Sequence, residues 1–79
     1  MEGSYKVAIK YEVVEQIGIL SQKANGWRKE LNLVSWNDND AKYDIREWNA
    51  DHTRMSKGIT MTSEEINILC ELLKEEVEK

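Results

Sequence analysis

The stretch Lys42–Glu65, KYDIREWNADHTRMSKGITMTSEE, decides the fold. It reads as a strand, a polar excursion, a second strand and the start of a helix. Side chains on a strand alternate between its two faces. Over Lys42–Trp48, Asp44, Arg46 and Trp48 therefore share one face, and Tyr43, Ile45 and Glu47 share the other. Ile45 is expected to point toward a core, leaving a guanidinium beside an indole on the open side. Such a surface suits a strand of bases and phosphates. Asn49–Met55 is a polar loop holding His52 and Arg54. His52 is expected to touch phosphate at most. Ser56–Met61 is a short strand containing Gly58. Thr62 then caps a helix, with Glu65 completing a capping box and Ser63 as the competing cap.

Working outward, the helix is expected to run to about Val77. Ile66, Leu69, Cys70, Leu73 and Val77 recur at helical spacing, and Ile68 and Leu72 widen the stripe. A stripe this wide needs a second surface, most simply another copy of the chain. Ile66, Leu69, Leu72 and Leu73 are the expected dimer contacts. Upstream, Tyr5 to Lys23 is strand-like, with Val13, Ile17 and Ile19 expected on one face. Gly18 falls opposite and marks a bulge or a close approach to the backbone. Asn25-Gly26 predicts a tight type I′ turn. The next strand, Trp27–Asn37, puts Leu31 and Leu33 on one face and Arg28, Asn32, Val34 and Trp36 on the other. With Leu31 and Leu33 inward beside Ile45, Arg28 and Trp36 join Arg46 and Trp48 outside, provided no bulge shifts the register. Asn37-Asp38-Asn39-Asp40 closes a second hairpin. Met1–Ser4 is read as a flexible lead.

Seventy-nine residues make one domain at most. So short a chain buries only about 60% of its unfolded surface and needs a staple or a partner. Cys70 is the only cysteine and His52 the only histidine, so neither an intrachain disulfide nor a Cys/His zinc site is available. No cofactor is expected, and with a lone thiol and no apolar run near 20 residues the expected location is the cytoplasm. The net charge of −4 argues at first against nucleic acid. Residues 63–79 hold six Glu and two Lys, which accounts for all of it; residues 1–62 hold nine basic and nine acidic residues. The sheet is thus free to present a local basic patch. Trp36 and Trp48 are the candidate stacking platforms and Arg46 the leading candidate for phosphate or base contact. Arg28, Lys29, Lys42, Arg54 and Lys57 are expected to line the groove. Asp38, Asp40, Asp44 and Glu47 are read as turn and strand-face residues rather than a metal site. No catalytic motif is present.

Tyr43-Asp44-Ile45-Arg46-Glu47-Trp48, followed by Lys57-Gly58-Ile59-Thr60 and an acidic helix start, resembles the positive-cofactor-four family of transcriptional coactivators, and its bacterial branch most closely. The resemblance covers roughly the last half of the chain. It implies an α+β fold, β-β-β-β-α, with a curved four-stranded antiparallel sheet, one C-terminal helix and a homodimer. It also implies single-stranded DNA binding, with contact at Arg46, at Lys57 before Gly58, and at an aromatic ending the second strand, here Trp36. The familiar block continues with two aromatics after Arg-Glu, whereas Trp48 is followed here by Asn49. RNA is a further candidate partner; a membrane or small-molecule substrate is not expected. The competing reading is a protein-interaction module that docks through the apolar and acidic helix.

Overall fold

The computed structural model describes residues 9–79. Four strands, β1 (Tyr11–Gln22), β2 (Arg28–Trp36), β3 (Lys42–Trp48) and β4 (Met55–Met61), form an antiparallel sheet in the order β1-β2-β3-β4, and α1 (Ser63–Val77) follows. This is the expected β-β-β-β-α architecture. The expected flexible lead, and strand structure over Tyr5–Ala8, lie outside the described residues.

The hairpin turns differ from expectation in one respect. At the first hairpin Lys23 N–H donates to Trp27 O at 2.7 Å and Gly26 N–H to Lys23 O at 3.0 Å. Only Gly26 has positive φ there, at 94°. The loop is therefore three residues long, with the glycine in the left-handed bulge position that follows a type I turn. The type I′ geometry appears instead at the second hairpin, where Asn37 (φ 53°) and Asp38 (φ 65°) are both left-handed. Asn39 N–H donates to Trp36 O at 3.0 Å across that turn. Asn and Asp visit this region at lower cost than other side chains, so they supply what Asn25-Gly26 was expected to supply.

Register confirms the parity on β2 and β3. Leu31 pairs with Ile45, Asn32 with Asp44, Glu30 with Arg46 and Arg28 with Trp48, with no shift along the pair. On β1 the register slips three times, between Val13 and Glu15, Gln16 and Gly18, and Ile19 and Ser21. The extra residues are Val14, Ile17 and Leu20. Ile17 therefore leaves the face it was expected to share with Val13 and Ile19. Each bulge bends and twists its strand, and three in succession coil β1 over the Arg28/Trp36 face.

That coiling decides where the core sits. Val34 and Trp48 are the fully buried apolar residues, and Glu30, Asn32 and Asp44 are buried with them. All five lie on the face expected to be open. Leu31, Leu33 and Ile45, on the other face, are only half-buried, and Ile59 is 61% exposed. The helix touches only β3 and β4 and has no buried residue. It does not cover the aliphatic face, as it was expected to do. Thr62 is its cap: its hydroxyl accepts from Glu65 N–H at 3.1 Å, and Thr62 N–H donates to Glu65 Oε1 at 2.9 Å.

Candidate nucleic-acid interface

Trp36 and Arg46 lie on the same side of the sheet, and the Arg46 guanidinium carbon stands 4.6 Å from the centre of the Trp36 ring. The guanidinium is held from three directions. Nε and Nη2 donate to the two Asp44 carboxylate oxygens at 2.7 and 2.8 Å, and Nη1 donates to Ser56 O at 3.3 Å. Asp44 is fully buried and also accepts from Thr60 Oγ1 at 3.0 Å. A fork-to-fork pair of this kind fixes orientation as well as charge. The Arg46 stem crosses β4 at Gly58. An added Cβ there would come within 2.4 Å of Arg46 Cβ and of Ile45 O. The Arg46 and Lys57-Gly58 motifs, apart in sequence, are thus one structural unit: glycine leaves the room that the arginine fills.

A second cluster surrounds Glu30, which is buried. Its carboxylate accepts from Asn32 Nδ2 at 3.0 Å, from Arg28 Nη2 at 3.2 Å, and meets His52 Nε2 at 3.0 Å. The carboxylate only accepts, so the His52 Nε2 carries the proton toward it. The His52 ring stacks on Trp48, with centroids 4.7 Å apart and planes 10° from parallel. His52 reaches this position through a left-handed backbone, φ 61°. Tyr11 packs against both Trp36 and Trp48, with centroids 5.7 and 5.6 Å away.

Trp48 therefore has no surface open to a base, contrary to its expected role as a platform. The magnitudes favour this outcome. Burying an indole removes roughly 150–250 Å² from water, worth about 4–6 kcal/mol at most. Stacking one base returns only about 1–3 kcal/mol. Trp36 keeps part of its surface in solvent. Arg46 was expected as a direct contact, yet its side chain is 13% exposed and its charge is met by Asp44. It orients Trp36. Of the expected groove cations, Arg28 is half-buried against Glu30, while Lys42, Arg54 and Lys57 are exposed with no carboxylate partner among the described residues. Lys29 is exposed too, but it takes the parity of Leu31, which puts it on the opposite face across from Glu47, whose carboxylate pairs with Lys23. Lys57, next to Gly58, takes the parity of Ile59 and lies on that opposite face as well. Tyr11 and Glu30 are neighbours that sequence reasoning passed over; Asn32 was expected on this face without a role, and His52, expected to touch phosphate at most, is held between Glu30 and Trp48. Glu30 had the right parity to be found; the other contacts depend on the bulges and the loop.

Among the described residues, no three His, Cys, Asp or Glu side chains converge as a metal site would require. Among the same residues, no helix is long and apolar enough to cross a membrane. Residues 23–72, from the first hairpin through most of α1, match the family described as transcriptional coactivator p15 (PC4). The chain belongs to the PC4 family. A Treponema pallidum (strain Nichols) protein, described only as uncharacterized, is 49% identical over 63 residues, covering 80% of this chain and 74% of that one. The PC4 match contains Trp36, Asp44, Arg46 and Gly58, so the oriented tryptophan lies within the part shared with the family. β1, with its bulges, lies outside it.

Proposed function

We propose that this PC4-family chain binds single-stranded DNA with little sequence preference, as a homodimer, in a reducing compartment such as the cytoplasm. The observation that carries the reading is the Arg46–Trp36 contact of 4.6 Å on the sheet face. Trp36 offers an aromatic surface that accepts any base, already oriented, so little entropy is lost on binding. Lys42 and Arg54, with Arg28 behind them, supply cations for phosphates on the Trp36 face. Binding, rather than turnover, is what such a surface does, and the resemblance to coactivators points to transcription or repair as its setting.

The test is a titration with oligo-dT read by tryptophan fluorescence. Affinity is expected to fall with salt at a slope near −0.7 per phosphate neutralised, and duplex of equal length is expected to compete poorly. Trp36→Ala is expected to weaken binding by about 1–3 kcal/mol. Equal affinity for duplex, or none for single strands in low salt, refutes the reading.

The dimer rests on α1. Leu72 and Leu73 are more than half exposed in the single chain, and Val77 is 81% exposed. Exposed large apolar side chains at helical spacing are what a second copy would cover. Sedimentation is expected to give twice the chain mass, and Leu72→Glu with Leu73→Glu to give one chain mass. The same open stripe also supports the second reading, a module that docks another protein through an apolar helix with acidic flanks. That reading requires a monomer alone in solution and no effect of Trp36→Ala on function.

A further inference from the structure

An open cleft of about 220 Å³ lies between β1 and β2, lined by Gln16, Gly18, Ile19, Glu30 and Asn32. Register places Gln16 opposite Asn32 and Ile19 opposite Glu30, so these four side chains share the face that carries Trp36 and Arg46. Gly18 contributes bare backbone to the rim. No positive φ demands glycine there, and a Cβ would meet nothing within 4 Å.

The hydrogen-bonding capacity of the cleft wall is directional. Asn32 Nδ2 lies 3.0 Å from Glu30 Oε1. A carboxylate offers only acceptors, so the amide must turn its N–H toward Glu30, which fixes its carbonyl the other way. That carbonyl, Asn32 Oδ1, is buried and has no partner among the described residues, and Asn32 as a whole is 1% exposed. An unmet buried acceptor in a native fold calls for an explanation, and a ligand that donates to it is one. Glu30 Oε2 faces Arg28 and His52 at 3.2 and 3.0 Å. Its Oε1 receives one amide proton and retains a second lone pair. Two neighbouring acceptors, one on an anionic group, thus lie behind the cleft wall, and a base reaches the covered Asn32 carbonyl when the edge strand β1 moves off it.

We propose that this cleft receives one base of the bound strand and prefers guanine. The proposal rests on the single-strand reading and adds one local preference to it. Guanine alone carries two adjacent donors, N1–H and the N2 amino group, on its pairing edge. They match the Asn32 carbonyl and the Glu30 carboxylate. Thymine and uracil flank their single N–H with two carbonyl oxygens, which would face the carboxylate. Adenine and cytosine set one amino group beside an acceptor nitrogen.

The experiment uses the full chain and a short oligo-dT whose central position is thymine, guanine or hypoxanthine. Hypoxanthine keeps N1–H and lacks the amino group. The guanine strand is expected to bind about fivefold or more tightly than the thymine strand, as a good bidentate contact requires. Hypoxanthine is expected to lose most of that gain. Asn32→Leu is expected to abolish the difference between guanine and thymine, with near-ultraviolet circular dichroism reporting whether the fold is kept. The hypoxanthine comparison needs no variant and stands if that one misfolds. Equal affinity for all three strands, with oligo-dT binding intact, overturns the cleft assignment alone. No binding by any strand overturns the single-strand reading and the cleft with it.

Discussion

The two faces of the sheet reverse the usual relation between hydropathy and burial. One carries Arg28, Glu30, Asn32, Asp44 and Arg46 and is closed; the other carries Leu31, Leu33, Ile45 and Ile59 and is half-open. The closed face tolerates its charges because they are matched: Arg46 against Asp44, Arg28 and His52 against Glu30. Burial is costly for an unpaired charge and tolerable for a pair whose hydrogen bonds are made. The open face needs no such matching, only something apolar laid on it. One face is thus completed within a single chain, and the other is left open. A rigid polar interior holds an aromatic in place, and the proposed homodimer would cover the open face.

The contrast breaks most sharply at Asp44. Asp44→Ala leaves the Arg46 guanidinium buried without its carboxylate, a change that typically costs about 3–5 kcal/mol. In a domain whose whole stability is on the order of 5–15 kcal/mol, the variant is expected to unfold at far lower urea than the parent. An equally stable variant would mean that Arg46 finds solvent, and that the closed face is not closed. Gly58→Ala probes the same unit from the other side. Its methyl group would meet Arg46 Cβ and Ile45 O at 2.4 Å, and one of these is backbone, so β3 and β4 must part. Overpacking of this kind costs about 1–3 kcal/mol. The displaced guanidinium is expected also to shift the Trp36 emission. Loss of stability without that shift would separate Gly58 from the positioning of Trp36.

The fold was legible where one rule acted alone. Alternation along Lys42–Trp48 and Trp27–Asn37 put Arg46 and Trp36 on one side, and Thr62 with Glu65 marked the helix start to the residue. Legibility failed where curvature decides exposure. Alternation assigns a side chain to a face, but not whether that face is concave. The three slips on β1 coil the sheet so that Trp48 is covered by Tyr11 and His52. No local pattern at Trp48 announces a partner in a loop four residues on with φ 61°. The proximity of Trp36 and Arg46, on which the proposed site rests, was legible in the sequence. The part Asp44 plays was not, because it lies two residues from Arg46 on the same strand, where cross-strand reasoning does not look.

The helix offers a gentler comparison with the sheet. It has few contacts with β3 and β4, so its own end interactions matter more than they would in a packed helix. Thr62→Ala removes one half of the capping box and is expected to cost about 1 kcal/mol. Because the open stripe is proposed to pair with a second copy, the loss is expected to grow on dilution, as dimer support is withdrawn. A cost independent of protein concentration would mean that α1 stands without a partner, and would favour the docking-module reading.

The smallest effect is expected at Asp51, in the loop that delivers His52 to Trp48. Its carboxylate accepts from Thr53 Oγ1 at 2.7 Å and from Thr53 N–H at 3.2 Å. The Thr53 hydroxyl, then the Thr53 backbone N–H, lower its pKa below the ordinary 3.8, although the group is fully exposed. A carboxyl depressed in the folded state stabilises the fold above its unfolded pKa, and that contribution fades as the pH falls through the folded value. Asp51→Asn keeps a carbonyl acceptor for Thr53 and removes the titration. The parent and the variant are therefore expected to differ slightly near neutral pH, with the gap beginning to close as the pH falls to the ordinary carboxylate value and lost only below the lowered folded pKa. Urea midpoints across this pH range measure this. A gap that stays constant would mean that the Asp51–Thr53 bonds do not hold the loop, and that the stacking of His52 on Trp48 fixes it instead.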